Sequence, residues 1–233
     1  MLVSFLNLFK SIYRKYFPKN LRIIVRNSLK KIVYFLRYIK LKKAINSNQK
    51  VKLILGAALT SQKGWFSTNE QWLDISKSSD WNRIFNKKQL VTNAVAEHVF
   101  EHLTVKEMRS SLKNIYNNLS SGGVLRIAVP DGNHPDENYR KNTGINGIGA
   151  DASDHKQFIT YEFLKEELIK MGFNIEFMEG YYKDGSLEKK KIDDKLGHII
   201  RTRSNIQIKN TKFKYGWEFV DSNTSMIIDA YKN

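Results

Sequence analysis

Apolar positions along this chain follow two rhythms. Residues 51–55 (Val-Lys-Leu-Ile-Leu) and 91–96 (Val-Thr-Asn-Ala-Val-Ala) are short and largely apolar, as buried strands are. Residues 124–129 and 225–231 read as strands too, and residues 173–179 alternate between apolar and polar. Between these strands the period lengthens. Met108, Leu112, Ile115 and Leu119 recur at helical spacing, and so do Phe163, Leu164, Leu168 and Met171. Thr160 is placed to cap the second helix and Gly172 to end it. Ser120-Ser121-Gly122-Gly123 predicts a turn before strand 124–129, and Gly64-Trp65 a turn into a second strand near residues 66–70. Strands alternating with helices predict an α/β fold.

Polar residues gather just past the carboxyl end of each strand, the edge where open α/β sheets bind ligands. Gly56-Ala57-Ala58 follows the first strand, Asn69 and Glu70 the second, and Pro130-Asp131 follows strand 124–129. Glu97-His98-Val99-Phe100-Glu101-His102 follows strand 91–96. Glycine at position 56 would let backbone approach a ligand with no Cβ in the way, although a plain strand-ending turn needs it equally. Asp74 closes the apolar piece Trp72-Leu73-Asp74-Ile75; it could face a ligand or serve as a turn or cap residue. Trp81 and Phe85 read as core. His98 and His102 have a spacing that can chelate a metal. H-E-x-x-H is absent and no third ligand is evident, so no metal is expected, and Glu101 and His102 are expected to cap or pack. Residues 130–155 read as a long polar loop carrying Asp131, His134, Asp136, Tyr139, Asp154 and His155. Loops of that length are usually functional or disordered.

Composition adds a compartment and a charge. The 233 residues contain no cysteine, which removes disulfides, thiolate metal sites and cysteine nucleophiles. No apolar run is long enough to predict a membrane span, and no secretory signal is expected. Residues 1–50 hold 13 Lys and Arg and no acid, while the other 183 residues hold 26 basic and 23 acidic side chains. The excess charge is therefore a property of the amino-terminal arm. There Leu2, Phe5, Leu6, Phe9, Tyr13, Tyr16 and Phe17 recur at helical spacing up to Pro18. A second helix, which Asn20 could cap, carries a stripe of Leu21, Val25, Leu29, Ile32, Leu36 and Ile39 among basic residues. Such helices can lie in a membrane interface, where anionic lipid adds roughly 1 kcal/mol per basic side chain. They can equally pack on the domain or on a second copy. Nucleic acid is a third partner for the charge, but no recognised nucleic-acid module is present. Residues 183–195 read as an exposed charged turn. Residues 197–208 read as a hairpin arm, with Arg201 and Arg203 either surface charge or contacts for an anionic substrate.

Two stretches carry a family resemblance. Residues 97–103, EHVFEHL, and residues 119–131, L-x-x-GG-x-L-R-I-A-V-P-D, are similar to the second half of class I S-adenosylmethionine-dependent methyltransferases. Gly64-Trp65, Asp154-His155 and Thr224-Ser225-Met226-Ile227-Ile228-Asp229-Ala230-Tyr231-Lys232 narrow it to the predicted methyltransferases of bacterial surface-polysaccharide gene clusters. The resemblance implies a doubly wound, Rossmann-like methyltransferase domain over residues 49–233, behind a basic helical arm at 1–48. It implies S-adenosylmethionine held by Gly56, Ala57 and Ala58, by Asn69 or Glu70 at the ribose, by Asp74 near the adenine, and by Glu97 and His98 at the methionine end. It implies O-methylation of a sugar or polysaccharide precursor, and the basic arm, through residues 1–43, adds the expectation of an anionic surface at the cytoplasmic face of the membrane. His155 is the expected general base, oriented by Asp154 or Asp131, since imidazole exchanges protons near neutral pH. The Asp154-His155 pair could instead cap the next helix or brace the loop. Ala58 stands where the family has a second glycine, and Asn93 where an acid is frequent. Those departures motivate a second reading, a non-catalytic methyltransferase-like interaction module at a membrane. A third reading, a nucleic-acid methyltransferase with the arm as a clamp, lacks an Asn-Pro-Pro-Tyr-type motif.

Overall fold

Among the described residues, seven strands form one mixed sheet, in the order Phe66–Ser67, Val51–Leu55, Val91–Glu97, Leu119–Pro130, Ser225–Lys232, Phe173–Tyr181, Leu187–Lys189. In the computed structural model, residues 18–58, 60–149, 152–203 and 225–233 are described. The strands are β1 (Val51–Leu55), β2 (Phe66–Ser67), β3 (Val91–Glu97), β4 (Leu119–Pro130), β5 (Phe173–Tyr181), β6 (Leu187–Lys189) and β7 (Ser225–Lys232). The helices are α1 (Lys19–Asn46), α2 (Ser78–Phe85), α3 (Val105–Asn118), α4 (Glu137–Thr143) and α5 (Tyr161–Lys170). β1 pairs parallel with β2 and β3, and β3 parallel with β4. The chain winds outward from β1 to β2, then returns across β1 and winds the other way through β3 and β4. This is the doubly wound, Rossmann-like α/β arrangement, and its direction reverses at the β1–β3 border. β7 enters antiparallel between β4 and β5.

The burial pattern explains why these strands are nearly continuous apolar runs. Every residue of β4 from Val124 to Pro130 is buried, as is every residue of β7 except Tyr231, so both faces of the sheet are covered. On one face Val95, Ala128, Met178, Ile199 and Ile227 form a cluster with Trp65 and Ile192 packed against it. Met108, Leu112 and Ile115 of α3 are fully buried, as expected from their spacing, and so are Trp81 and Phe85 of α2. Thr104 and Glu107 form a reciprocal capping box at the start of α3.

The chain divides into two compact units, Met1–Lys40 and Leu41–Asn233. In the first, the described part of α1 is basic, and Leu29, Ile32, Leu36 and Ile39 of its apolar stripe are all at least 45% exposed. No described helix is long and apolar enough to cross a membrane. In the second unit the last turn of α1 buries Leu41, Ala44 and Ile45.

Three local expectations need correction. Ser120–Gly123 belongs to strand β4 instead of forming a separate turn, and the extra residues are absorbed as a register shift against β3. The polar stretch after β4 contains a helix, α4, because the Asp136 side chain accepts from the backbone of Asn138 and Tyr139 and caps it. Residues 197–203 are a loop, not a strand arm. The helix expected over residues 2–17, residues 204–208 of the arm, and Thr224 lie outside the described residues.

Candidate functional site

Parallel strands point their carboxyl ends the same way, so the turns after β1, β2, β3 and β4 share one edge of the sheet. At the β1–β3 border the turn after β1 has a glycine-like backbone. Gly56 has φ 58°, and a Cβ there would lie 2.8 Å from Val99 Cγ2 in the turn after β3. Ala58 also has positive φ, 44°, although it carries a Cβ. The backbone conformation expected of a second glycine is thus kept at a cost in strain. Ala57 is buried and donates its N–H to Thr68 O at 2.8 Å, tying this turn to β2.

Asn69, just past β2, is 5% exposed, and its Oδ1 accepts from Gln71 N at 3.0 Å. Its Nδ2 is buried and has no partner among the described residues. An unmet buried donor is costly, about 1–3 kcal/mol, unless a ligand or water takes it. Glu70 is exposed. Asp74 takes the turn role: its Oδ1 accepts from Ser76 N and Oγ, and Oδ2 pairs with Lys77. Glu97 Oε1 accepts from Ile200 N (2.9 Å) and Arg201 N (2.7 Å), so this oxygen anchors the loop at residues 200–201.

His98 adopts φ 52°, a left-handed backbone that histidine tolerates better than most residues. Its Nδ1 lies 3.0 Å from Glu101 Oε1 and its Nε2 3.0 Å from Ser225 Oγ. Glu101 is 1% exposed, and burial pushes its carboxyl up to about 7 against the pull of its backbone, His102, His155 and Arg201. His155 is buried; its Nδ1 lies 2.8 Å from Thr143 O, and its ring meets that of His102 edge-on at 4.7 Å. One ligand atom each from Glu101, His102 and His155 lies within 4.8 Å of the other two.

The orienting partner expected for His155 is corrected by this geometry. The Thr143 carbonyl holds its Nδ1, whereas Asp154 Oδ1 stands 3.0 Å from His102 Nδ1. Asp131 is also committed elsewhere. It accepts from Asn133 N at 3.0 Å and Tyr181 N at 2.9 Å, and burial lifts its carboxyl to about 6. Arg203 serves Glu179 at 3.2 Å and Ser225 O at 3.1 Å, an internal role instead of a surface one. Sequence reading missed Thr143 and the grouping of His155 with Glu101. The only local signal was an unusual density of histidine and acid on two distant segments.

No family model and no curated protein matches the chain. Solved structures with a similar course include a SAM-dependent methyltransferase of Thermotoga maritima, 14% identical over 91% of this chain and 97% of that one, with a TM-score of 0.43. A second, from Archaeoglobus fulgidus, is 19% identical over 87% and 94%, with a TM-score of 0.43. Magnesium protoporphyrin IX methyltransferase of Synechocystis, solved with bound SAH, is 10% identical over 99% and 95%, with a TM-score of 0.40. Likenesses this loose assign no activity.

Proposed function

We propose that this chain transfers a methyl group from S-adenosylmethionine to an oxygen of a sugar or polysaccharide precursor. The observation that carries the reading is the β1–β3 crevice. It combines the left-handed turn at Gly56 and Ala58, packed closely against Val99, with the Nδ2 of Asn69 after β2, which no described residue meets. The cofactor, when bound, supplies a methyl group on a sulfonium. The turn backbone would lie along it, and Asn69 Nδ2 would donate to a ribose hydroxyl, which makes Asn69 the better choice over the exposed Glu70. Methyl transfer is then mostly a matter of aligning acceptor and methyl group. EHVFEHL, which runs from the last residue of β3 through the turn after it, and GGVLRIAVPD, which fills β4 from Gly122 and ends just past it at Asp131, resemble the methyltransferase pattern.

The glycan acceptor rests on the resemblance to surface-polysaccharide methyltransferases. Attachment at the inner face of the cytoplasmic membrane is supported by the basic arm and by the exposed stripe Leu29, Ile32, Leu36 and Ile39. Calorimetric titration of the full chain with S-adenosylmethionine and its demethylated product tests the core of the proposal. Micromolar binding is expected, weakened about tenfold by Asn69→Ala, the loss of one hydrogen bond to the ligand. Absence of binding, in solution and on anionic vesicles, would replace this reading by the non-catalytic membrane module that Ala58 and Asn93 motivate.

A further inference from the structure

We propose that Glu101, His102 and His155 form a binding site for a divalent transition-metal ion. The inference is independent of the methyl-transfer reading, because the three ligands stand together whether or not a cofactor binds. A carboxylate oxygen and two imidazole nitrogens lie within 4.8 Å of one another. Two of the three side chains are buried, Glu101 at 1% and His155 at 5% exposed.

The second observation is that the carboxylate is left without hydrogen bonds. Among the described residues, neither oxygen of Glu101 has an aligned hydrogen-bond partner, and neither does the buried Nδ1 of His102. His98 Nδ1 approaches Glu101 Oε1 to 3.0 Å, and Asp154 Oδ1 approaches His102 Nδ1 to 3.0 Å, but both contacts are ion-pair distances without hydrogen-bond alignment. Buried carboxylates are normally paired, hydrogen-bonded or bound to a metal. Here the hydrogen-bonded solution is missing, and the pairing is one contact with an imidazole, His98, that carries charge only when protonated.

The site is also braced as metal sites are. Glu101 O accepts from Lys156 N at 2.8 Å and Gln157 N at 3.2 Å, locking the segment that carries His155 against the turn that carries Glu101 and His102. The Thr143 carbonyl takes the Nδ1 proton of His155, which leaves Nε2 with its lone pair. A ligating histidine typically gives its other N–H to such an oxygen. Three protein ligands leave at least one position for water, as in sites that are not purely structural. Two imidazoles select Zn²⁺, Mn²⁺, Co²⁺ or Ni²⁺ over Mg²⁺ and Ca²⁺, which prefer oxygen. An ion here occupies Nε2 of His155, so that residue acts as a ligand and not as a free base.

The test is titration of the chelator-treated full chain with Co²⁺, read by visible ligand-field absorption, with Zn²⁺ and Mg²⁺ as competitors. About one equivalent of Co²⁺ is expected, displaced by Zn²⁺ and not by Mg²⁺. Glu101→Gln and His155→Ala should each weaken binding by about 100-fold, the upper range even for supporting residues of metal sites. His198→Ala, a histidine paired with Asp194 elsewhere, should leave it unchanged. Glu101→Gln nearly preserves shape, so circular dichroism and an undiminished metal-free melting temperature separate lost ligation from lost folding. No uptake by the folded full chain overturns the proposal, and so does equal affinity in Glu101→Gln and His155→Ala.

Discussion

Arg126 and Glu101 are both charged side chains at most 1% exposed, and their surroundings could hardly differ more. Arg126 lies opposite Asp229 in the β4–β7 register. Its Nε and Nη2 each donate to Asp229 at 2.7 Å, and its Nη1 donates to the carbonyls of Asp193 and Gly197. Every part of that charge is met by protein, and the 193–197 segment is pinned over the sheet as a result. Glu101 lies beside His98, His102 and His155, and among the described residues neither of its oxygens has an aligned hydrogen-bond partner. The Arg126–Asp229 pair is met in full by the protein, whereas a buried carboxyl short of partners calls for an explanation.

That contrast can be broken most forcefully at Arg126. Arg126→Ala leaves Asp229 buried and unpaired, with an expected loss of about 3–5 kcal/mol in urea unfolding. The double replacement Arg126→Met with Asp229→Leu should recover most of it, since a well-packed apolar pair is often as stable as a buried ion pair. A single-variant loss below about 1 kcal/mol would remove the structural half of the comparison.

Asp131 sharpens the contrast from the other side, as a carboxyl that is hydrogen-bonded yet desolvated. Its folded pKa, about 6, is raised from an ordinary value of 3.8, mainly by burial, despite the bonds from Tyr181 and Asn133 and the nearby Arg203. The folded state therefore binds more protons than the unfolded state between those values. Its contribution is greatest below the unfolded pKa and is lost as pH rises to about 6, a change on the order of 3 kcal/mol. Unfolding measured from pH 4 to 7 should show that fall, and Asp131→Asn should lose this part of the slope whatever its absolute stability. An identical slope in the variant would assign the effect to other groups.

The smallest effect is expected at Ala58. Its φ of 44° suits glycine, so Ala58→Gly should raise stability by roughly 1 kcal/mol, read as a higher denaturation midpoint. A lower midpoint would mean that the turn is not strained.

Several elements were legible because their signals are local. The spacing of Met108, Leu112 and Ile115 identified α3, and all three are buried. The run after residue 225 identified β7, and Thr160 does cap α5. Ser120–Gly123 misled because two glycines resemble a turn, while pairing with β3 draws the segment into β4. α4 was hidden because its seven residues lack a clear apolar period and depend on the Asp136 cap. At the candidate site, the turn after β1 and the polar residues past each strand could be anticipated from local pattern alone. The partners of those residues could not.

The chain's own pattern was enough for its alternating strands and helices, its cationic arm, and the polar edge past the strands, since each depends on neighbours a few positions apart. Folding alone settled that Asp229 answers Arg126, that Thr143 holds His155, and that His155 meets Glu101 and His102. These contacts join residues far apart in sequence, and their energy exists only once sheet pairing and loop closure have removed the water between them.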